Sequence, residues 1–220
     1  MPPTLLSVAV GALVGVALLG AAFDRRSLAV VVVAAAAPDV DALLGPLGIG
    51  AANATLHTVL VPLAAGSLLY YDTALRERSW LWTRYGWYGA RVAWVAVAAY
   101  AIAGIGPDAF SAESAALLYP LSGRYYAITG GLLYSTQDGL VQTYAAVGGG
   151  WIELATPGTV DTHRVDTWIA PTASDSNSGD GERRLRLLES GWQAIVVLTA
   201  AAAVPAKALI ERGDRVRGDR

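Results

Sequence analysis

The chain has 220 residues, 54% of them hydrophobic and 15% charged, with a formal net charge of −2 and a mean hydropathy of +0.42. That is too apolar and too charge-poor for an ordinary soluble domain, and the long Ala/Val/Leu runs predict an integral membrane protein. The lack of cysteine excludes disulfides and thiolate metal sites, two histidines (His57 and His163) exclude a site of three imidazoles, and without a basic stripe interleaved with aromatics no nucleic-acid partner is expected.

Residues 5–23 form an apolar run about long enough to span a bilayer. Met1-Pro2-Pro3-Thr4 offers no basic leader, so a retained helix is expected rather than a signal peptide. Asp24-Arg25-Arg26 breaks the run. Residues 28–37 are again wholly apolar until Pro38, which removes a backbone donor and ends or kinks a second helix. A Gly-rich apolar loop follows at 44–51. Residues 55–71 predict a third helix, entered at His57 and kinked at Pro62. Residues 72–91 read as a polar loop carrying Arg76, Arg78, Arg84 and Arg91, with Trp80, Trp82, Tyr85, Trp87 and Tyr88 as interfacial anchors. Residues 92–106 predict a fourth helix, ended by Gly-Pro107.

Beyond it, residues 124–129 and 132–136 read as hairpin arms around a Gly130-Gly131 turn, with further strands possible at 140–147 and 151–155. Pro171 to Glu182 is a linker without apolar content. Residues 192–209 predict a last helix, before a basic tail of Arg212, Arg215, Arg217 and Arg220. The expected fold is therefore mainly α and polytopic, with about five transmembrane helices and a small external segment containing a β-hairpin. Its parts are a four-helix membrane domain at 1–106, the external segment at 107–170, the linker at 171–183, and the C-terminal helix and tail at 184–220. Segment 108–190 carries ten acidic residues against five arginines, whereas the other loops and the tail are basic. The positive-inside bias then puts 107–190 outside the cell membrane and the C-terminus in the cytoplasm.

Asp39, Asp41 and His57 lie between two apolar runs, where ionisable groups are functional candidates by default. Two hard oxygen donors and one imidazole suit Zn²⁺, Mn²⁺ or Fe²⁺. Either both carboxylates reach one ion, or one binds while the other orients His57. The alternative is local: Asp39 and Asp41 as caps of a loop and a short turn, with His57 hydrogen-bonded at a helix start. His163, flanked by Asp161 and Asp166, reads as part of a solvated loop. From the external segment, Asp108 and Tyr125, with Tyr119 and Tyr126, are candidate substrate contacts; Asp108 also reads as a helix-ending turn residue.

Pro38-Asp39-Val40-Asp41 followed by Leu56-His57-Thr58 resembles the YdjM-like family of membrane-bound metal-dependent hydrolases. Its haloarchaeal branch shares stretches similar to LLSVAVGALVGVALLG, YDTALRERSWL, GIGPD and LLYSTQDGLVQT, and the near-exclusive use of Arg over Lys with high Ala and Gly suits such a source. The resemblance covers most of the chain. It implies a mostly helical fold and phosphoester hydrolysis at a metal cluster, with Asp39, Asp41 and His57 as catalytic metal ligands and zinc as the divalent cofactor. A lipid or other phosphoester would be the substrate and the bilayer the partner. Relatives carry an early histidine where this chain has Ser7. That departure leaves a second reading, a catalytically degenerate member with a structural or sensing role. A transporter would need a polar path through several helices, and the first, fourth and fifth runs offer none.

Overall fold

The computed structural model describes residues 4–44, 53–111, 114–137, 139–148, 151–162, 187–188 and 190–218. His163, the linker 171–182 and most of the Gly-rich loop lie outside them. The described chain is mainly helical: α1 (Thr4–Leu18), α2 (Arg25–Ala36), the single turn α3 (Asp41–Leu44), α4 (Leu60–Tyr70), α5 (Trp80–Ala99), the short α6 (Gly106–Ala109) and α7 (Gly191–Gly218). A 3-10 turn, Pro38–Val40, joins α2 to α3, and a π turn, Tyr100–Ile105, joins α5 to α6.

α1 is the hub, packing on α2, α5 and α7. Small residues let it come close. A Cβ on Gly11 would fall 2.4 Å from the Cβ of Ala35, and one on Gly15 would fall 2.9 Å from Leu28. These pairs run in opposite order along the two helices, so α1 and α2 are antiparallel. Between them and α5 lies the main apolar core, with Leu19, Phe23, Val31, Ala35, Val92, Val95 and Ala103. α7 leans on α1 through Ala9, Ala12 and Ala200.

α2 starts at Asp24, whose carboxylate accepts from the N–H groups of Arg26 (2.7 Å) and Ser27 (2.8 Å) while Ser27 Oγ accepts from the Asp24 N–H. This reciprocal cap satisfies donors that a helix start otherwise leaves unpaired. It sits at the end opposite Asp39. Tyr88 donates to Asp24 and Arg91 donates to the Leu18 carbonyl there, so the basic residues gather at one pole of the bundle.

Among the described residues, two stretches, Trp80–Ala109 and Gly191–Gly213, are long and apolar enough to cross a membrane; α1 is apolar but shorter. Five such helices were expected. α2 and α4 are shorter still, because Pro38 closes one and the other begins only at Leu60. Pro62 consequently falls in the first turn of α4, where its missing N–H costs nothing, and no kink results. Residues 80–91 are helical rather than a loop. Ser79 caps them by accepting from the Trp82 N–H, and Gly86, at φ 63° and ψ −160°, turns the aromatic first turns away from the rest of α5.

The hairpin sits one step later than the sequence suggests. β1 (Leu132–Ser135) pairs antiparallel with β2 (Gly139–Gln142), and β3 (Ala146–Gly148) pairs with β4 (Trp151–Glu153). Gly139, at φ 71° and paired with Ser135, supplies the left-handed residue beside the turn, so the hairpin turns there and not at Gly130-Gly131. Gly130 instead lies flat against the Thr143 backbone.

Asp72, beyond α4, holds the start of α5. It accepts from Ser79 Oγ at 2.6 Å and from the N–H groups of Trp80 and Leu81, both at 3.0 Å, and pairs with Arg76. The Ser79 hydroxyl and the Leu81 and Trp80 N–H groups, with Arg76, pull its pKa from 3.8 to about 2. A depressed carboxylate pKa contributes stability above the unfolded value that is lost as pH falls through the folded one. Asp72→Ala should therefore lower the melting temperature at neutral pH. The gap to the parent should close as pH falls from about 3.8 towards about 2. A gap that persists in acid would mean the cap acts through shape rather than charge.

Candidate metal centre

The bundle end opposite the basic pole collects the acidic residues. Pro38 stops α2 and starts the 3-10 turn that carries Asp39 inward, and Asp41 follows as the first residue of α3. Residues 53–59 cross this end as an irregular segment before α4, bringing His57. Asp108 arrives from α6, and the π turn before it sets its angle. Extra-wide turns of this kind recur at functional sites because they re-aim the residues after them.

All four ionisable groups are buried. Asp39 is 8% exposed, Asp41 and His57 0%, and Asp108 1%. His57 Nδ1 lies 3.0 Å from Asp41 Oδ2, which also accepts the Leu56 N–H at 3.2 Å. That contact puts the ring proton on Nδ1. His57 Nε2 lies 3.2 Å from Asp108 Oδ2 and 3.8 Å from Asp39 Oδ1, yet is aligned for a hydrogen bond with neither. Asp39, His57 and Asp108 thus offer three atoms within 4.8 Å of one another, and the group could hold a metal ion. Ligands about 2 Å from a common cation sit about 3–3.5 Å from each other, the spacing found between Nε2 and Asp108.

Unsatisfied atoms gather around the same point. Both oxygens of Asp39, Oδ1 of Asp41, Oδ1 of Asn53, Nε2 of His57 and Oγ of Ser7 are buried without a hydrogen-bond partner. Buried polar groups are almost always paired, so this density of orphans marks a place built for a bound group. The antiparallel register carries Ser7 there too. Gly11 meets Ala35 and Ala103, and one turn earlier on α1 is level with Asp39 and α6.

Burial would depress the His57 pKa, but contacts with Asp108, Asp39 and Asp41 outweigh it and hold the imidazole well above its ordinary 6.5. A divalent cation would offset the negative charge that three carboxylates gather around one buried ring. Buried charge needs such compensation, and the donor set of two carboxylates and one imidazole fits Zn²⁺, Mn²⁺ or Fe²⁺.

The segment that follows α6 closes over this end through hydrogen bonds to residues 53–59. Val59 N–H and Thr58 Oγ1 both donate to the Leu117 carbonyl, and Ala116 N–H donates to the Asn53 carbonyl. Tyr125 is 1% exposed in a small core with Ala54 and Ala116, and burial together with the charge of Asp41 pushes its phenol up to about 12. Asp41 sits behind His57 rather than beside Asp39, and Asp108, read above as a substrate contact, stands among the potential ligands. Asn53 was missed. Its only sequence signal is an amide set among alanines. No family model, curated protein or solved structure matches the chain.

Proposed function

We propose that the chain is a membrane-embedded, metal-dependent hydrolase of a phosphoester or lipid substrate at the outer membrane face, of the YdjM-like type. The observation that carries this is the unaligned Nε2 of His57, close to Asp108 and Asp39, with the opposite ring nitrogen tied to Asp41. That is the carboxylate–histidine–metal arrangement in which one carboxylate fixes the tautomer of the ligand ring.

In this reading Asp39, His57 and Asp108 would hold the cation, which when bound would make a water acidic enough to attack near neutral pH and polarise the scissile phosphoryl group. Asp41 keeps the Nε2 lone pair directed at the centre. Asp39, at 8% the least enclosed of the four, lies nearest the solvent side of the cluster. Ser7 offers a hydroxyl at the same level.

Membrane embedding is supported by exposed apolar side chains on several helices: Val30 and Val33 on α2, Leu63 and Leu68 on α4, Ile195, Leu198 and Leu209 on α7. Patches of that size on a soluble monomer would be unusual. The short α1, α2 and α4 then sit in the bilayer beside the two long helices, giving five crossings, with the basic pole in the cytoplasm and the acidic site outside.

One observation favours the degenerate reading, with a structural or sensing role: the enclosure of the cluster, three of whose members are at most 1% exposed. Metal analysis of the detergent-purified protein, with hydrolysis of a chromogenic phosphodiester, separates the two. Zinc, manganese or iron near one equivalent, lost in His57→Ala, is the expected result. Metal without turnover would leave the degenerate reading standing. A metal-free protein whose melting temperature ignores added Zn²⁺ and Mn²⁺ would overturn the metal centre altogether.

A further inference from the structure

Asn53 is fully buried and has a left-handed backbone, at φ 52°. Its side-chain amide donates to Asp108 Oδ1 at 2.8 Å and to the Ser114 carbonyl at 3.3 Å. Two acceptors on one side fix which end of the amide is nitrogen. The other end, Oδ1, is buried with no partner. The backbone carbonyl of the same residue accepts from Ala116 N–H. Asn53 thus ties together the irregular segment before α4, the outer segment and Asp108, which is 55 positions away.

The two oxygens of Asp108 are divided by this contact. Oδ1 is taken by the Asn53 amide, and Oδ2 is the atom 3.2 Å from His57 Nε2. Without the amide the carboxylate could rotate about its last bond, and either oxygen could turn toward the ring. With it, one oxygen is anchored and the other held toward the centre. Asp41 does the same for His57 from the opposite side. The orphaned Oδ1 of Asn53 offers lone pairs only, so what completes it is a hydrogen-bond donor such as a water, or a cation.

Resting on the metal-centre reading above, we propose that Asn53 is a positioning residue for the cation: its amide aims Asp108 Oδ2 at the metal, and its free carbonyl accepts a hydrogen bond from a water at the site. It touches the ion only through Asp108.

The test uses the full-length protein in detergent, with Zn²⁺ alone as the probe. Asn53→Gly accommodates the left-handed backbone and leaves the carbonyl bonded to Ala116, and deletes the side chain with its amide. Asn53→Asp keeps the size but replaces the donor with an acceptor facing Asp108. Zinc affinity should fall about 10–100-fold in Asn53→Gly, as for other partners of metal ligands, and further in Asn53→Asp. Apo melting temperature is read in parallel. A structural role alone would lower the apo melting temperature and leave zinc affinity at the parent value, and that outcome overturns the proposal. If the parent takes up no zinc, and no manganese or iron in the metal analysis above, the metal-centre reading fails and this inference with it. Loss of affinity confined to the variants, with a zinc-loaded parent, supports both.

Discussion

Asp41→Ala should cost the protein both stability and metal. Asp41 Oδ2 receives two donors at once, the Leu56 N–H and the His57 Nδ1–H, in a spot sealed from solvent. Truncation strands both donors. A buried unpaired donor costs about 1–3 kcal/mol, so the combined loss is large against the stability of an ordinary domain. The metal effect is separate in origin. Without Asp41 nothing holds the ring proton on Nδ1, and the imidazole is free to swap tautomers or rotate, withdrawing Nε2 from Asp39 and Asp108. Removing such a partner lowers metal affinity about 10–100-fold. Asp41→Asn distinguishes the two effects. Its amide oxygen still accepts from both donors, so the melting temperature should stay near the parent, while the lost charge weakens the cation's hold. Thermal melts and Zn²⁺ titrations on both variants check this. Parent-like zinc affinity in Asp41→Ala would remove Asp41 from the site.

How far the sequence foretold this arrangement depends on what kind of signal each residue carries. Asp39, Asp41 and His57 are visible because ionisable groups between apolar runs are costly, and their grouping needs no knowledge of the fold. Their division of labour is not visible. Whether Asp41 faces the centre or the back of the ring depends on the 3-10 turn after Pro38, a local geometry that alternation of side chains does not capture. Asp108 stood out as a polar residue on the right face, but its place beside His57 depends on the π turn at Tyr100–Ile105, which no periodicity announces. The Tyr100 hydroxyl helps to pin that turn by donating to the Leu56 carbonyl at 2.6 Å.

The slips in secondary structure have similar causes. The stretch 80–91 carries so many aromatics and arginines that its amphipathic period is hidden, although Ser79 is a good N-cap signal. Gly130-Gly131 reads as a hairpin turn because β-prone arms flank it, whereas the chain turns where Gly139 supplies a positive φ. Long-range partners such as Asn53 with Asp108 leave the weakest trace of all, since an asparagine in a run of alanines is equally at home in a turn.

The second large effect is expected at a residue that bears no functional group. Gly104, inside the π turn, lies so close to the end of α2 that a Cβ there would fall 2.6 Å from Pro38 Cγ and 2.8 Å from the Ala35 carbonyl oxygen. Neither neighbour is the tip of a flexible side chain; one is a ring closed on the backbone and the other is backbone. Gly104→Ala must therefore move one segment away from the other, and overpacking of this kind costs about 1–3 kcal/mol. The displacement lands on the site, because Pro38 immediately precedes Asp39 and the π turn leads directly to Asp108. Pushing these apart opens the distance between two of the three potential ligands, so zinc uptake should fall together with stability even though no ligand has been touched. Gly66→Ala is the control. Within α4 its new methyl would meet the Trp94 and Val97 side chains at 3.9 Å, ordinary van der Waals contact, so alanine should be neutral or mildly stabilising there. Melting temperature and bound zinc, measured on the two single variants side by side, decide the matter. If Gly104→Ala keeps a full complement of zinc while losing stability, the close approach serves only the packing of the bundle. If both fall together while Gly66→Ala is unchanged, the contact between the π turn and Pro38 sets the spacing of Asp39 and Asp108.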